Sequence, residues 1–348
     1  MKIVFPSIIT FLLLFSAAQT NAQNAGPSLF ETGVKLTEAK KFKEAAEVFS
    51  QAVAKNPSDS VSYRYLSWCE IELAQYDKAA ESARKAIAID PGEYIAYNNL
   101  GWAEVMLGQL DEAVGDLKTS IKINSSYAIA HNNLGYAYLK QNRDDEAMQE
   151  LKISIELDPN DKRPHSSLAS VYIRSGKYRD AATELETLTR IDPTSAQSFS
   201  DLGFAYLNLG EQGKAVIALQ QAVMLDPKNV DYLRHLGTAQ TLAGKREDAI
   251  ATYRQLLLQK PKDYDGLMAL AINLSVTGRF DDAIISAKAA LEVKPNAEKT
   301  VYFIALNYID KGDKETAASY LPRLKELDED LAKKLEKALG TQPANQKP

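Results

Sequence analysis

Prolines recur along this chain at one fixed interval. Pro57, Pro91, Pro159, Pro193, Pro227, Pro261 and Pro295 are separated by 34 residues, or by 68 where Ser125 stands in the missing place. A sequence with a single period over most of its length folds as many copies of one small unit. Nine such units of 34 residues follow one another without a gap from 26 to 331. Counting each unit from its first residue puts the proline at position 32.

The other columns then align. Position 20 is alanine in every unit: Ala45, Ala79, Ala113, Ala147, Ala181, Ala215, Ala249, Ala283 and Ala317. Position 8 is always small, from Gly33, Ser67 and Gly101 through Ala305. Apolar residues at positions 4, 7, 8 and 11 share one face of a helix, helix A. Positions 20, 24, 27 and 28 do the same for a second helix, B. Gly108, Gly176, Gly210, Gly244, Gly278 and Gly312 at position 15 mark where helix A stops and the chain reverses. Small residues at positions 8 and 20 let the paired helices approach closely. Proline ends helix B because it lacks an N–H and disfavours helical backbone in the residue before it. No strand-like alternation occurs, so the expected class is all-α.

These columns resemble the tetratricopeptide repeat family in period and small-residue pattern, over about 306 of the 348 residues. The resemblance implies a helical-hairpin solenoid, a right-handed superhelix whose A helices line a concave groove. Each hairpin is too small to bury its own core and leans on its neighbours. The segment 329–340 reads as a C-terminal capping helix, with Leu331, Leu335 and Leu339 on one face. The polar tail 341–348 has nothing with which to build a core, and is expected to be disordered.

The N-terminus has a different layout. Lys2 precedes the apolar run Ile8 to Phe15, and the small or polar residues from Ser16 to Ala22 follow it. This is the pattern of a secretory signal peptide over 1–22, cleaved near Ala22. It is too short for a stable membrane span. A soluble periplasmic or secreted protein is the expectation. The only cysteine, Cys69, forms no internal disulfide and reads as a small core residue. With 41 Lys+Arg against 46 Asp+Glu, the charge of −5 gives no electrostatic case for nucleic acid.

Little in the sequence points to catalysis. The acidic pairs Asp111-Glu112, Asp145-Glu146, Glu247-Asp248 and Asp281-Asp282 all occupy positions 18 and 19. Acids in the first turn of helix B favour the helix dipole. His131, His165 and His235 have no partners at metal-ligand spacing. Neither a cofactor nor a metal is expected, and the repeats leave no room for a catalytic domain.

Function is therefore expected on the A helices. In the family, positions 2, 5, 6, 9, 12 and 13 face or border the groove. Here position 9 carries Trp68, Trp102 and Tyr136 in successive units, and Tyr65 stands at position 6. Positions 5 and 6 give Asn98-Asn99 and Asn132-Asn133. Asparagine amides match a peptide backbone, and aromatic rings give stiff contact area. The combination resembles the asparagine-lined grooves of O-linked N-acetylglucosamine transferase and kinesin light chain; the same residues equally serve to pack helix A on helix A. Lys140, Arg163 and Arg174 border the same surface and suit an acidic segment or a C-terminal carboxylate, or form a solvated rim. The Lys, Asn and Arg set of the chaperone-binding subgroup is absent, because position 9 never holds Asn. The resulting expectation is a non-enzymatic adaptor that holds a polypeptide in envelope assembly or secretion. The alternative is a scaffold of a polysaccharide-export or other envelope complex, with self-association.

Overall fold

The structure, a computed structural model, describes residues 28–340. The expected leader over 1–22 and the tail 341–348 lie outside the described residues. All regular elements among the described residues are helices. They form two compact units, the first ending at Gln141 and the second beginning at Asn142.

Unit one comprises α1 (Leu29–Glu38), α2 (Phe42–Lys55), α3 (Ser60–Glu72), α4 (Tyr76–Ile89), α5 (Tyr94–Leu107), α6 (Leu110–Ile123) and α7 (Ala128–Lys140). Unit two begins with α8 (Asp144–Leu157), α9 (Lys162–Arg174), α10 (Tyr178–Ile191), α11 (Ala196–Asn208), α12 (Gln212–Leu225) and α13 (Val230–Leu242). It continues with α14 (Arg246–Gln259), α15 (Tyr264–Val276), α16 (Phe280–Val293), α17 (Glu298–Asp310), α18 (Lys314–Ala318), α19 (Leu321–Leu327) and α20 (Glu329–Gly340). Odd-numbered helices through α17 are the A helices. Within each unit, consecutive helices pack against one another, as α3 on α4, α4 on α5 and α11 on α12.

The A-to-B turn has one conformation throughout. Gly108, Gly176, Gly210, Gly244, Gly278 and Gly312 all have φ between 69° and 93°. The three repeats without glycine at this position place Lys40, Ala74 and Asn142 at φ 55–59°. Left-handed backbone is costly for a residue with a Cβ, so at Lys40 and Ala74 the packing of α1 on α2 and of α3 on α4 dictates the turn. The N–H of the next residue then bonds back into helix A, as Gln109 to the Glu104 carbonyl at 2.9 Å and Lys177 to Tyr172 at 2.8 Å.

Helix B ends on two signals. Besides the proline, in the first six repeats an Asn or Asp side chain just before that position accepts an N–H two residues on, as Asp90 from Gly92 at 2.9 Å and Asn124 from Ser126 at 3.1 Å. Asn124 explains why Ser125 can replace proline without loss of the turn.

Position 8 is small for a more specific reason than close backbones. A Cβ on Gly101 would sit 2.6 Å from the Leu117 side chain and 3.1 Å from the Ala113 carbonyl. On Gly33, Gly203 and Gly237 it would strike Phe49, Leu219 and Tyr253. Each small residue makes room for a large side chain from helix B of its own repeat. Where position 8 carries a Cβ at Ser67 and Ala271, the facing residues shrink to Ala83 and Ala287, whereas Ala169 faces Leu185.

The ninth repeat departs from the pattern. Its second helix is split into α18 and α19, because Pro322 is accommodated only in a first helical turn. Leu324, Ala332 and Leu335 close this end by packing on Val301 and Ala305.

Candidate functional site

In unit one, α3, α5 and α7 lie side by side, α3 touching α5 and α5 touching α7. Corresponding positions therefore fall in rows across the three helices. Trp102 packs on Tyr136 with ring centroids 5.4 Å apart, and the Lys140 ammonium lies 5.1 Å from the Tyr136 ring centre. Trp68 packs on Tyr65 at 6.2 Å and on Phe42 at 6.0 Å. Its indole N–H donates to Glu72 at 3.3 Å. Tyr65 is further held between Phe30 and Phe49, with the Arg64 guanidinium 4.8 Å from its ring centre.

Exposure separates these residues. Trp68 is 38% exposed and Met106, one turn beyond Trp102, is 42% exposed. Tyr65, Trp102 and Tyr136 are half-buried, and Lys140 is exposed. Val61, Ile95 and Ile129, half-buried at position 2, stand two helical turns before the position-9 residues on the same face of the same helices. Sequence reasoning passed over them and Met106, although all four stand at positions that border the groove.

The asparagines are placed differently from a free recognition surface. Asn98, Asn99, Asn132 and Asn133 are each no more than 5% exposed. The Asn133 amide donates to Asn98 Oδ1 at 2.9 Å, and Asn132 donates to Asn133 at 3.2 Å. Asn99 donates to the Arg64 carbonyl at 3.3 Å. These bonds tie each A helix to the next at a sequence offset of 35 in the Asn98–Asn133 and Arg64–Asn99 pairs. Unit two repeats that offset with Ser200 and His235, 3.4 Å apart. Asn98, Asn99 and Asn133 act first as stitches between helices, while Asn132 bonds within α7 and its Oδ1 is left buried with no hydrogen-bond partner.

Arg163 and Arg174 lie in unit two, and both are engaged there. Arg163 pairs with Asp161 at 2.7 Å, and Arg174 pairs with Asp144 at 2.5 Å. Exposed pairs of this kind contribute little to stability, but they neutralise the cations. An acidic ligand there would have to displace an aspartate.

The acid pairs sit in the first turns of α6, α8, α14 and α16. Three of them carry an acid paired with a nearby cation, Glu146 with Arg143 at 2.7 Å, Glu247 with Arg279 at 3.7 Å and Asp282 with Arg279 at 2.8 Å. His165 sits 2.7 Å from Glu184 and 3.2 Å from the Pro159 carbonyl, and the His131 ring lies 3.1 Å from the Ser125 carbonyl. Among the described residues, no three His, Cys, Asp or Glu converge as metal ligands. Cys69 is fully buried, and burial together with Glu70 and Glu72 pushes its thiol up to about 12. In unit one, Glu104 is buried and bonded to Arg84 at 2.9 Å. Burial and the nearby Asp116 charge raise its carboxyl to about 7.

Comparison with known proteins agrees with this architecture. Profiles described as tetratricopeptide repeat match residues 36–101, 128–161, 167–230 and 236–299, and one described as TPR repeat matches 103–142. The C-terminal part of a TPR repeat-containing protein from Cytophaga hutchinsonii aligns with 69% of this chain and 99% of its own, at TM-score 0.55 and 18% identity. YrrB, described as a TPR protein with an unusual peptide-binding site, aligns with 54% of this chain and 97% of its own, at TM-score 0.45 and 22% identity. MamA aligns with 49% of this chain and 94% of its own, at TM-score 0.47 and 22% identity. A search of curated proteins finds no match to the sequence. The class defined by the fold is a helical-hairpin solenoid serving as a protein-interaction scaffold. The chain belongs to the tetratricopeptide repeat family. No helix among the described residues is long and apolar enough to cross a membrane.

Proposed function

We propose that this protein is a non-enzymatic adaptor that holds a polypeptide segment against α3, α5 and α7, outside the cytoplasm, in envelope assembly or secretion. The observation that carries the reading is the outward aromatic surface of unit one, Trp68 and Met106 exposed beside the half-buried Trp102–Tyr136 pair. Large rings held by their neighbours give contact area with little side-chain entropy left to lose. The asparagine stitches support the reading indirectly, by fixing the helices that carry the rings. Lys140 over Tyr136 leaves a cation at one end of the surface, and Glu72 an acid at the other.

Export rests on the layout of Lys2, Ile8 to Phe15 and Thr20 to Ala22. N-terminal sequencing of the native protein is expected to find Gln23 first, and an intact Met1 in a cytoplasmic fraction would overturn it. For binding, the mature protein serves as bait in an envelope extract, and the captured partner is titrated against wild type and Trp102→Ala. Losing a central aromatic anchor is expected to weaken binding by about 2 kcal/mol, roughly thirtyfold. Chemical denaturation of the same variant is expected to show a smaller change than a core deletion produces. Unchanged affinity in the folded variant would remove the site from repeats two to four.

A further inference from the structure

Unit two carries a second outward A-helix surface with different chemistry. On α13 and α15, Leu242, Ile272 and Val276 are 59%, 43% and 62% exposed. The same positions in α9 and α11 hold Ser170 with Arg174, and Phe204 with Asn208. The change to aliphatic residues sets α13 and α15 apart from α9 and α11, and α17 continues it with Leu306 at position 9. On α15 the outward stripe runs Asp265, then Met268 and Ala269, then Ile272 and Val276. Asp265 is the only charged residue in that helix. On α13 the same register reads Asp231, Arg234 and His235, Thr238, Leu242.

Asp231 and Asp265 are both exposed, and among the described residues neither forms an ion pair. Arg234, the one Lys or Arg on these two helices, is held bidentately by Asp263 at 2.7 and 2.9 Å. Burial lowers the basicity of His235. Asp263 is shared with Lys260 at 3.0 Å, and the charges on α13 and α15 left outside an ion pair are the two aspartates. The two helices are locked together, since Thr241 and buried Asn273 exchange hydrogen bonds at 3.1 and 2.9 Å. Eleven residues separate Asp265 from Val276, about 16 Å along a helix. An extended chain covers that in about five residues.

We propose that α13 and α15 form a second docking surface, taking a polypeptide with an aliphatic cluster and, about five residues along in extended form, Lys or Arg side chains. The cluster covers Leu242, Ile272 and Val276, while the cations meet Asp231 and Asp265. This surface is independent of the aromatic one in unit one.

The probe is a fluorescein-labelled peptide with three aliphatic residues, a Ser/Thr spacer of about five residues and two lysines. Anisotropy with the full mature chain is expected to show saturable binding that weakens as salt rises. Leu242→Ser/Val276→Ser is expected to lower affinity at least tenfold, and Asp231→Asn/Asp265→Asn to weaken it and flatten the salt dependence. A peptide with glutamates in place of the lysines is expected not to bind. Circular dichroism checks that the variants remain folded, and Trp102→Ala serves as the control for the other site and is expected to bind normally. No binding to wild type, equal binding of the glutamate peptide, or loss of binding in Trp102→Ala alone would each overturn the proposal.

Discussion

Gly237→Ala tests the packing logic of the repeat at one atom. Gly237 is buried in α13, and an added Cβ would lie 2.7, 2.8 and 2.9 Å from three carbons of the Tyr253 ring. Tyr253 is 3% exposed, packed in a cluster with Leu233, Leu256 and Leu270. Its hydroxyl is 3.2 Å from Thr238 Oγ1. The ring has no flexible end to swing away, so it must shift as a body. Overpacking of this kind costs about 1–3 kcal/mol, while glycine to alanine within a helix gains roughly 1 kcal/mol. The net expectation is a loss of up to about 2 kcal/mol. Gly115→Ala supplies the opposite sign, because Gly115 is inside α6 and a Cβ there meets nothing within 4 Å; it is expected to stabilise by about 0.5–1 kcal/mol. Repeat arrays need not unfold in one step, so the readout is hydrogen exchange resolved to α13 and α14 for one variant and α5 and α6 for the other. Tyr253→Leu in the Gly237→Ala background is expected to recover most of the loss, since Ala169 already faces Leu185 in the fifth repeat. If Gly237→Ala protects its helices as Gly115→Ala does, the ring is not held as described and position 8 is small for another reason.

Ala74→Gly is expected to stabilise unit one by roughly 0.5–1 kcal/mol by relieving left-handed backbone at φ 55°, read as a raised urea midpoint; a fall would show that the turn is not strained. Asn133→Ala removes the donor to Asn98 and is expected to cost about 1–2 kcal/mol, with increased amide exchange in α5 and α7. Glu104 makes unit one pH-sensitive: its carboxyl is raised from 4.5 to about 7, so the folded state binds the proton more tightly than the unfolded state. That contribution is complete below the unfolded value and is lost as pH rises through the folded one. Urea midpoints are thus expected to fall between pH 5 and pH 8, and Glu104→Gln to flatten that fall; an unchanged slope in the variant would assign it to another group.

The sequence by itself determined the helices, their order and their ends. A 34-residue period with small residues at two positions permits few packings, and the left-handed turn and the proline are local backbone chemistry that any observer can read. Lys40 and Ala74 adopt the turn of their glycine counterparts only because α1 packs on α2 and α3 on α4, which the sequence does not show. The column of small residues was legible too, but not its partner, since Tyr253 and Gly237 meet only when α13 and α14 pack together. Only tertiary structure decided what the A-helix residues do. Asn98 and Asn133 carry the same groups whether they face a ligand or each other, and the distance between neighbouring helices, 2.9 Å from amide to carbonyl oxygen, assigns them to each other. Arg163 and Arg174 were legible as cations but not as neutralised ones, because Asp144 reaches Arg174 from a different helix. Exposure of Trp68, Leu242 and Val276 is likewise a property of what neighbouring helices leave uncovered. Sequence period encodes which residues repeat; which of them remain free is set by contacts between repeats, and those exist only once the chain has folded.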